Sequence, residues 1–245
     1  MTRLSRSTFL VAGTLALAGC DGNTTNLEST APVSVRLELT GVGAAKAVAD
    51  EPLELVGDDG TLSISDVRFI LDSFSLAVSQ DVCEESGCPP IEAGPVFVDV
   101  PLDLESLELF VAEVPLGSYS ALEFAITGLG SEDASLAAAI HNDFPNWPDA
   151  ASAVVVGSFA PLDGSPARPF TIYIGADVDV SLHVDPPFEL TEEHVEKALT
   201  LGLDVLSWLP DIPHNIDISG YDYDTTGEVI PFVLELDKAF SVKHD

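Results

Sequence analysis

Four side chains in this sequence have the types and spacing for metal chemistry: Asp177, Asp179, His183 and Asp185. Val178, Val180, Leu182 and Val184 lie between them, so a β-strand here would turn its apolar residues one way and the polar four toward solvent. Asp177 with Asp179 suits calcium if loop carbonyls join, and His183 with Asp185 suits a softer ion such as copper with help from another element. One strand offers any ion only an adjacent pair. The same pattern also reads as a solvated acidic face that discourages edge-to-edge pairing.

The second chemistry is carried by cysteine. Arg3 and Arg6 precede a short apolar run from Phe9 to Leu17, and Leu17-Ala18-Gly19-Cys20 closes it. That order of a positive region, an apolar core and small residues before a thiol is a lipoprotein signal with cleavage before Cys20. Small residues at Ala18 and Gly19 let the extended chain enter a peptidase cleft, and the Cys20 thiol accepts diacylglycerol. The apolar run is about half of the roughly 20 residues that span a bilayer. Residues 1–19 are therefore expected to be removed, and 20–32, polar and rich in Thr, Asn and Ser, to form a lipidated flexible tether. The expected address is the cell envelope, on the inner or outer membrane, facing the periplasm or the cell surface. In that oxidising setting Cys83 and Cys88, spaced C-x4-C in a Gly- and Pro-containing loop, are expected to form a disulfide. Half of a zinc site would need a second Cys or His pair at ligand spacing, which the sequence does not contain.

Charge narrows the partners. The chain has 41 Asp and Glu against 9 Lys and Arg, a net charge of −32, and loss of Arg3 and Arg6 makes it more negative still. Such a field repels nucleic acid and anionic headgroups, so acyl chains are the expected sole membrane contact. An envelope protein or glycan remains a candidate partner. Acidity of this degree reads first as solubility, as in a saline habitat, and second as a store for cations.

No G-x-S-x-G, H-E-x-x-H, G-x-x-x-x-G-K or G-x-G-x-x-G occurs, so no enzyme activity is expected. Asp217, Asp222 and Asp224 suggest a calcium loop, but counting from Asp222 puts Val233 where the bidentate Glu belongs. His141, His194, His214 and His244 form no ligand pair, and Trp147 and Trp208 read as packing residues.

The elements that must position these groups are strands. Val33, Val35, Leu37 and Leu39 alternate with polar residues, and so do Val67, Phe69 and Leu71. Phe74, Leu76 and Val78 then alternate one step out of register, which predicts a β-bulge near Asp72-Ser73. Further strands are predicted at 53–56, 96–100, 104–114, 119–127, 154–159, 170–174, 178–184 and 199–205. Pro186-Pro187 is expected to end the Asp177–Asp185 strand. Helices are predicted at Ser135–His141 and from Thr191 as N-cap to Lys197. Beyond Asn215 the pattern fits either period. The expected fold is all-β: an antiparallel β-sandwich of about 8 to 10 strands with one or two short helices, forming a single domain over 33–245.

The stretches ISDVRFILDSFSL (64–76), GPVFVDVPL (94–102), VPLGSYSALEFAI (114–126) and LTLGLDVLSW (199–208) resemble an uncharacterised family of envelope lipoproteins of environmental bacteria. The resemblance spans about 62–208 and implies a β-sandwich, with no catalytic or binding residues to carry over. More distantly, the strand followed by a P-x-G-x-Y hairpin at Pro115–Tyr119 is similar to the periplasmic copper-binding family associated with methanobactin, which implies copper binding. Two functions follow as expectations: a noncatalytic lipid-anchored envelope protein with a binding or structural role, or a periplasmic lipoprotein that binds calcium or copper.

Overall fold

A computed structural model describes residues 29–40, 52–78, 94–103, 105–130, 133–192, 197–208, 216–231 and 239–244. Within them the chain is all-β and sandwich-like, with two sheets facing one core. Sheet A has four strands in the order β12-β10-β1-β5: β12 (Phe240–His244), β10 (Lys197–Leu203), β1 (Thr30–Leu39) and β5 (Leu107–Pro115). Sheet B is built on β3 (Gly60–Val78), with β6 (Gly117–Ile126), β7 (Ala153–Pro161), β8 (Arg168–Gly175) and β9 (Val178–Leu190). The short strands β2 (Leu53–Val56), β4 (Val96–Asp99) and β11 (Ile230–Pro231) flank it.

The phase change in β3 organises sheet B. Residues 60–69 of β3 pair with β7, and residues 71–78 pair with β6. The register shifts between Leu71 and Ser73, where the out-of-step alternation placed a bulge. Val155, Ile172 and Phe69 thereby face the same core as Phe74, Phe124 and Val180. The two-residue link 176–177 carries the chain from β8, beside β7, into β9, beside β6. Thus β8 and β9 follow the two segments of β3 in turn, and one bent sheet presents a continuous apolar side. Across the core, Phe74 packs edge-on to Phe110 of sheet A at 4.7 Å between ring centroids, and Phe124 meets Phe240 at 5.0 Å.

The outer side of the first half of sheet B is covered by the excursion between β6 and β7. Its helix α1 (Ala134–Asp143) buries only Ile140, against a small cluster with Ile70, Trp147, Val154 and Tyr173. Trp147 donates its indole N–H to the Ala151 carbonyl. Ser152 is fully buried; its hydroxyl donates to Ile174 O and accepts from Ala176 N–H, clasping the entry to β7 onto β8.

Several sequence expectations change. Pairing is mixed: β1 runs parallel to β10 and β11 runs parallel to β8. Period-2 alternation sets which face a residue occupies and carries no information about the direction of the neighbour. Twelve strands are described, because the region beyond Asn215 adds β11 and β12. Pro186-Pro187 does not end β9, which continues to Leu190. β9 lies at an edge of the sheet, where a missing N–H is tolerated, and the register with β6 slips between Tyr119 and Ala121. Lys197 opens β10 opposite Val33 and does not close a helix; residues 193–196 lie outside the described set. Residues Ser219–Tyr221 form a 3-10 turn, followed by α2 (Tyr223–Thr226). Pro115–Gly117 is a crossing between sheets, since Pro115 pairs with Thr30 in sheet A and Gly117 with Leu190 in sheet B. The Tyr119 hydroxyl closes that crossing on the Pro115 carbonyl at 2.6 Å. Among the described residues no helix is long and apolar enough to cross a membrane.

Candidate functional site

The alternation over β9 places side chains as the sequence predicts. Val180, Leu182 and Val184 are buried, while Asp179, His183 and Asp185 are exposed. Asp177 precedes the strand, exposed, in the 176–177 link. Their neighbours on β6 are less suited to metal: Asp179 lies opposite Ala125 and His183 opposite Ala121. Among the described residues no group of three His, Cys, Asp or Glu side chains is arranged to hold a metal ion. Cys20, Cys83 and Cys88 lie outside the described residues, as do His194 and His214 and the side chain of Trp208.

The register brings a different residue to the centre of this face. Glu123 on β6 sits between Ser75 on β3 and Ser181 on β9, in one row across three strands. The Ser75 hydroxyl donates to one carboxylate oxygen of Glu123 at 3.2 Å and the Ser181 hydroxyl to the other at 3.5 Å. The adjoining row is Ser73, Ala125 and Asp179. Ser73, Ser75, Glu123, Asp179 and Ser181, with Phe124 and Val180, line an open depression of about 330 Å³. Small side chains around one carboxylate leave its outward lone pairs open to a donor, while two hydroxyls fix its plane. Chemically, a carboxylate so placed is able to accept hydrogen bonds from an ammonium, a guanidinium or another N–H donor.

Sequence reasoning passed over Glu123 because it is one carboxylate among many, flanked by Leu122 and Phe124 in an ordinary strand pattern. Its two serines are 48 and 58 residues away in the chain. Only strand register could single it out.

The other charged groups of note are occupied by the fold. Asp222, nearly buried, accepts the Thr171 N–H and the Thr225 hydroxyl, tying α2 to β8. Burial opposes ionisation of Asp217, but Ser219 and Arg168 outweigh it and hold its pKa below the ordinary carboxylate range. Asp217 and Asp222, two of the aspartates whose spacing suggested a calcium loop, thus have partners within the fold. Arg68 on β3 engages Asp66, Asp99 and Asp143, with its guanidinium 5.7 Å from the Phe97 ring and 5.2 Å from that of Phe144. Burial disfavours its charge, yet the hydrogen bonds that the guanidinium donates to Asp66 and Asp143 raise its pKa above the ordinary value.

No family model and no curated protein matches the chain. Among solved structures it is similar to MbnP from Methylosinus trichosporium, at 15% identity and a TM-score of 0.37, over 73% of this chain and 77% of that one.

Proposed function

We propose that this chain is a noncatalytic, lipid-anchored protein of the cell envelope that binds a cation-bearing partner on the outer face of β3, β6 and β9. The observation that supports binding there is the Glu123 carboxylate, oriented by Ser75 and Ser181 within a shallow polar depression. Its anchoring rests on the signal and Cys20, and its noncatalytic character on the lack of nucleophile and base motifs in the sequence. The partner chemistry is an ammonium or guanidinium group on an envelope protein or glycan. Capture of partners from the native envelope by the lipidated protein tests it. A Glu123→Gln variant should lose the captured species while keeping its melting temperature, and equal capture by both forms would refute the site. Cys20→Ser should abolish partition into the detergent phase.

A second reading is a periplasmic lipoprotein that binds calcium or copper. The observation favouring it is that Asp179, one of the expected metal ligands, shares the depression with Glu123. Calorimetric titration with each ion separates the two readings: absence of heat together with an unchanged melting temperature would exclude this one.

A further inference from the structure

Among the described residues, the outer face of sheet A carries two cations, Arg36 and Lys243, beside the carboxylates of Glu38, Glu108 and Glu113. Five Lys and Arg residues lie among the described positions, and Arg68 and Arg168 are held in ion pairs on sheet B. Of the other three, Arg36 and Lys243 lie on the outer face of sheet A, while Lys197 is half-buried in the row of the core residue Val33. Arg36 and Lys243 are exposed and share one row across the sheet: Lys243 on β12, Thr200 on β10, Arg36 on β1 and Glu108 on β5. The row is polarised, positive at the β12 side and negative at the β5 edge. Glu108 is held upright by the Ser34 hydroxyl at 3.2 Å, and Val111 beside it is 55% exposed.

From this polarity we propose that the outer face of sheet A is a contact between two copies of this chain. A two-fold axis lying in the plane of the face, parallel to the strands and between β10 and β1, stacks β12 of one copy over β5 of the other. Lys243 then stands opposite Glu108 of the second copy, and the same pair recurs by symmetry. Thr200 meets Arg36 and Gly202 meets Glu38, so no two like charges are directly opposed. Gly202 has no side chain and Ala198 and Ser34 have short ones, so the two sheets can approach to the roughly 10 Å of face-to-face packing.

The patch spans four strands about 4.8 Å apart over six or seven residues at about 3.3 Å each, roughly 400 Å² per copy. That is the range of transient interfaces, so charge complementarity rather than apolar area must select the pair. At physiological ionic strength the screening length is about 8 Å, which shields the remaining carboxylates of the two bodies while leaving contact pairs effective.

Reciprocal charge reversal tests this without reference to the anchor, in the full chain carrying Cys20→Ser. Sedimentation over a range of concentrations should show reversible dimers of this reference protein. Lys243→Glu and Glu108→Lys should each weaken association by roughly tenfold or more, because like charges then face each other twice. An equimolar mixture of the two variants should restore it, since each supplies the charge the other lacks and the mean net charge is unchanged. Unaltered circular dichroism and melting temperature of the single variants exclude misfolding as the cause. A mixture that stays monomeric, single variants that dimerise like the reference, or a reference monomeric throughout would each overturn the proposal. So would a monomeric reference whose Lys243-dependent binding is instead to phosphatidylglycerol vesicles.

Discussion

The guanidinium of Arg68, on the outer side of β3, bonds the carboxylate of Asp143, the last residue of α1. The same guanidinium bonds Asp66 on its own strand and lies over the rings of Phe97 on β4 and Phe144 just past the helix. One side chain therefore joins two strands to the end of a helix that buries little else.

Arg68→Ala should accordingly cost about 2 kcal/mol, combining lost ring stacking with three carboxylates left to repel one another. Urea unfolding followed by the fluorescence of Trp147, which lies 5.5 Å from Phe97, would read the loss. A change within error would mean that α1 is docked by its apolar contacts alone.

The ionic part of that joint should depend on pH with a defined sign. The Arg68 hydrogen bond holds the Asp143 carboxyl below its ordinary range, so its contribution is complete above the unfolded value of about 3.9 and disappears as pH falls through the lower folded value. Because Asp143 is exposed, the difference in stability between the unmodified chain and Asp143→Asn should be only about 0.5 kcal/mol at pH 7, and should shrink toward zero as acid protonates the folded-state carboxylate. Urea titrations at several pH values measure this difference directly, and persistence of the full difference in acid would contradict an ionic contact.

Ser152→Ala should destabilise by about 2 kcal/mol even though it removes one oxygen atom. The Ala176 N–H loses its acceptor where β8 gives way to the 176–177 link, and a partly buried donor is left unpaired beside the cavity of the fully buried Ser152. Amide exchange at Ala176 should accelerate more than exchange in β1, which separates a local loosening from a global one.

Two glycines should respond differently to alanine. At Gly157 a Cβ would collide with the Ser63 carbonyl and the Phe170 ring, beside the register shift of β3 between Ile64 and Asp66, so Gly157→Ala should cost about 3 kcal/mol. Gly164 in the β7–β8 turn has φ +79° and open space around it, so Gly164→Ala should cost about 1 kcal/mol of backbone strain. Paired thermal melts check the ranking, and the reverse order would place the tight approach in the turn instead of the sheet.

The side of each strand was legible in the residues themselves. Alternation over Val33–Leu39 and Val178–Val184 marks the buried face, the slip after Leu71 marks the bulge, and the Ala-rich run ahead of Pro145 marks α1. These are local properties: a hydrophobic period is written in neighbouring residues, and so is its interruption. Which strands become neighbours is not local. The parallel pairing of β1 with β10, the crossing at Pro115–Gly117 and the passage of β9 beyond Pro186-Pro187 follow from how two sheets close over one core. The exposed positions Asp179, His183 and Asp185 were read correctly from β9, yet the row of Ser75, Glu123 and Ser181 across three strands, and that of Lys243, Thr200, Arg36 and Glu108 across four, exist only once register is set. By itself the sequence determined which groups face solvent; tertiary structure decided which of them meet, because side chains far apart in the chain become neighbours only through strand pairing.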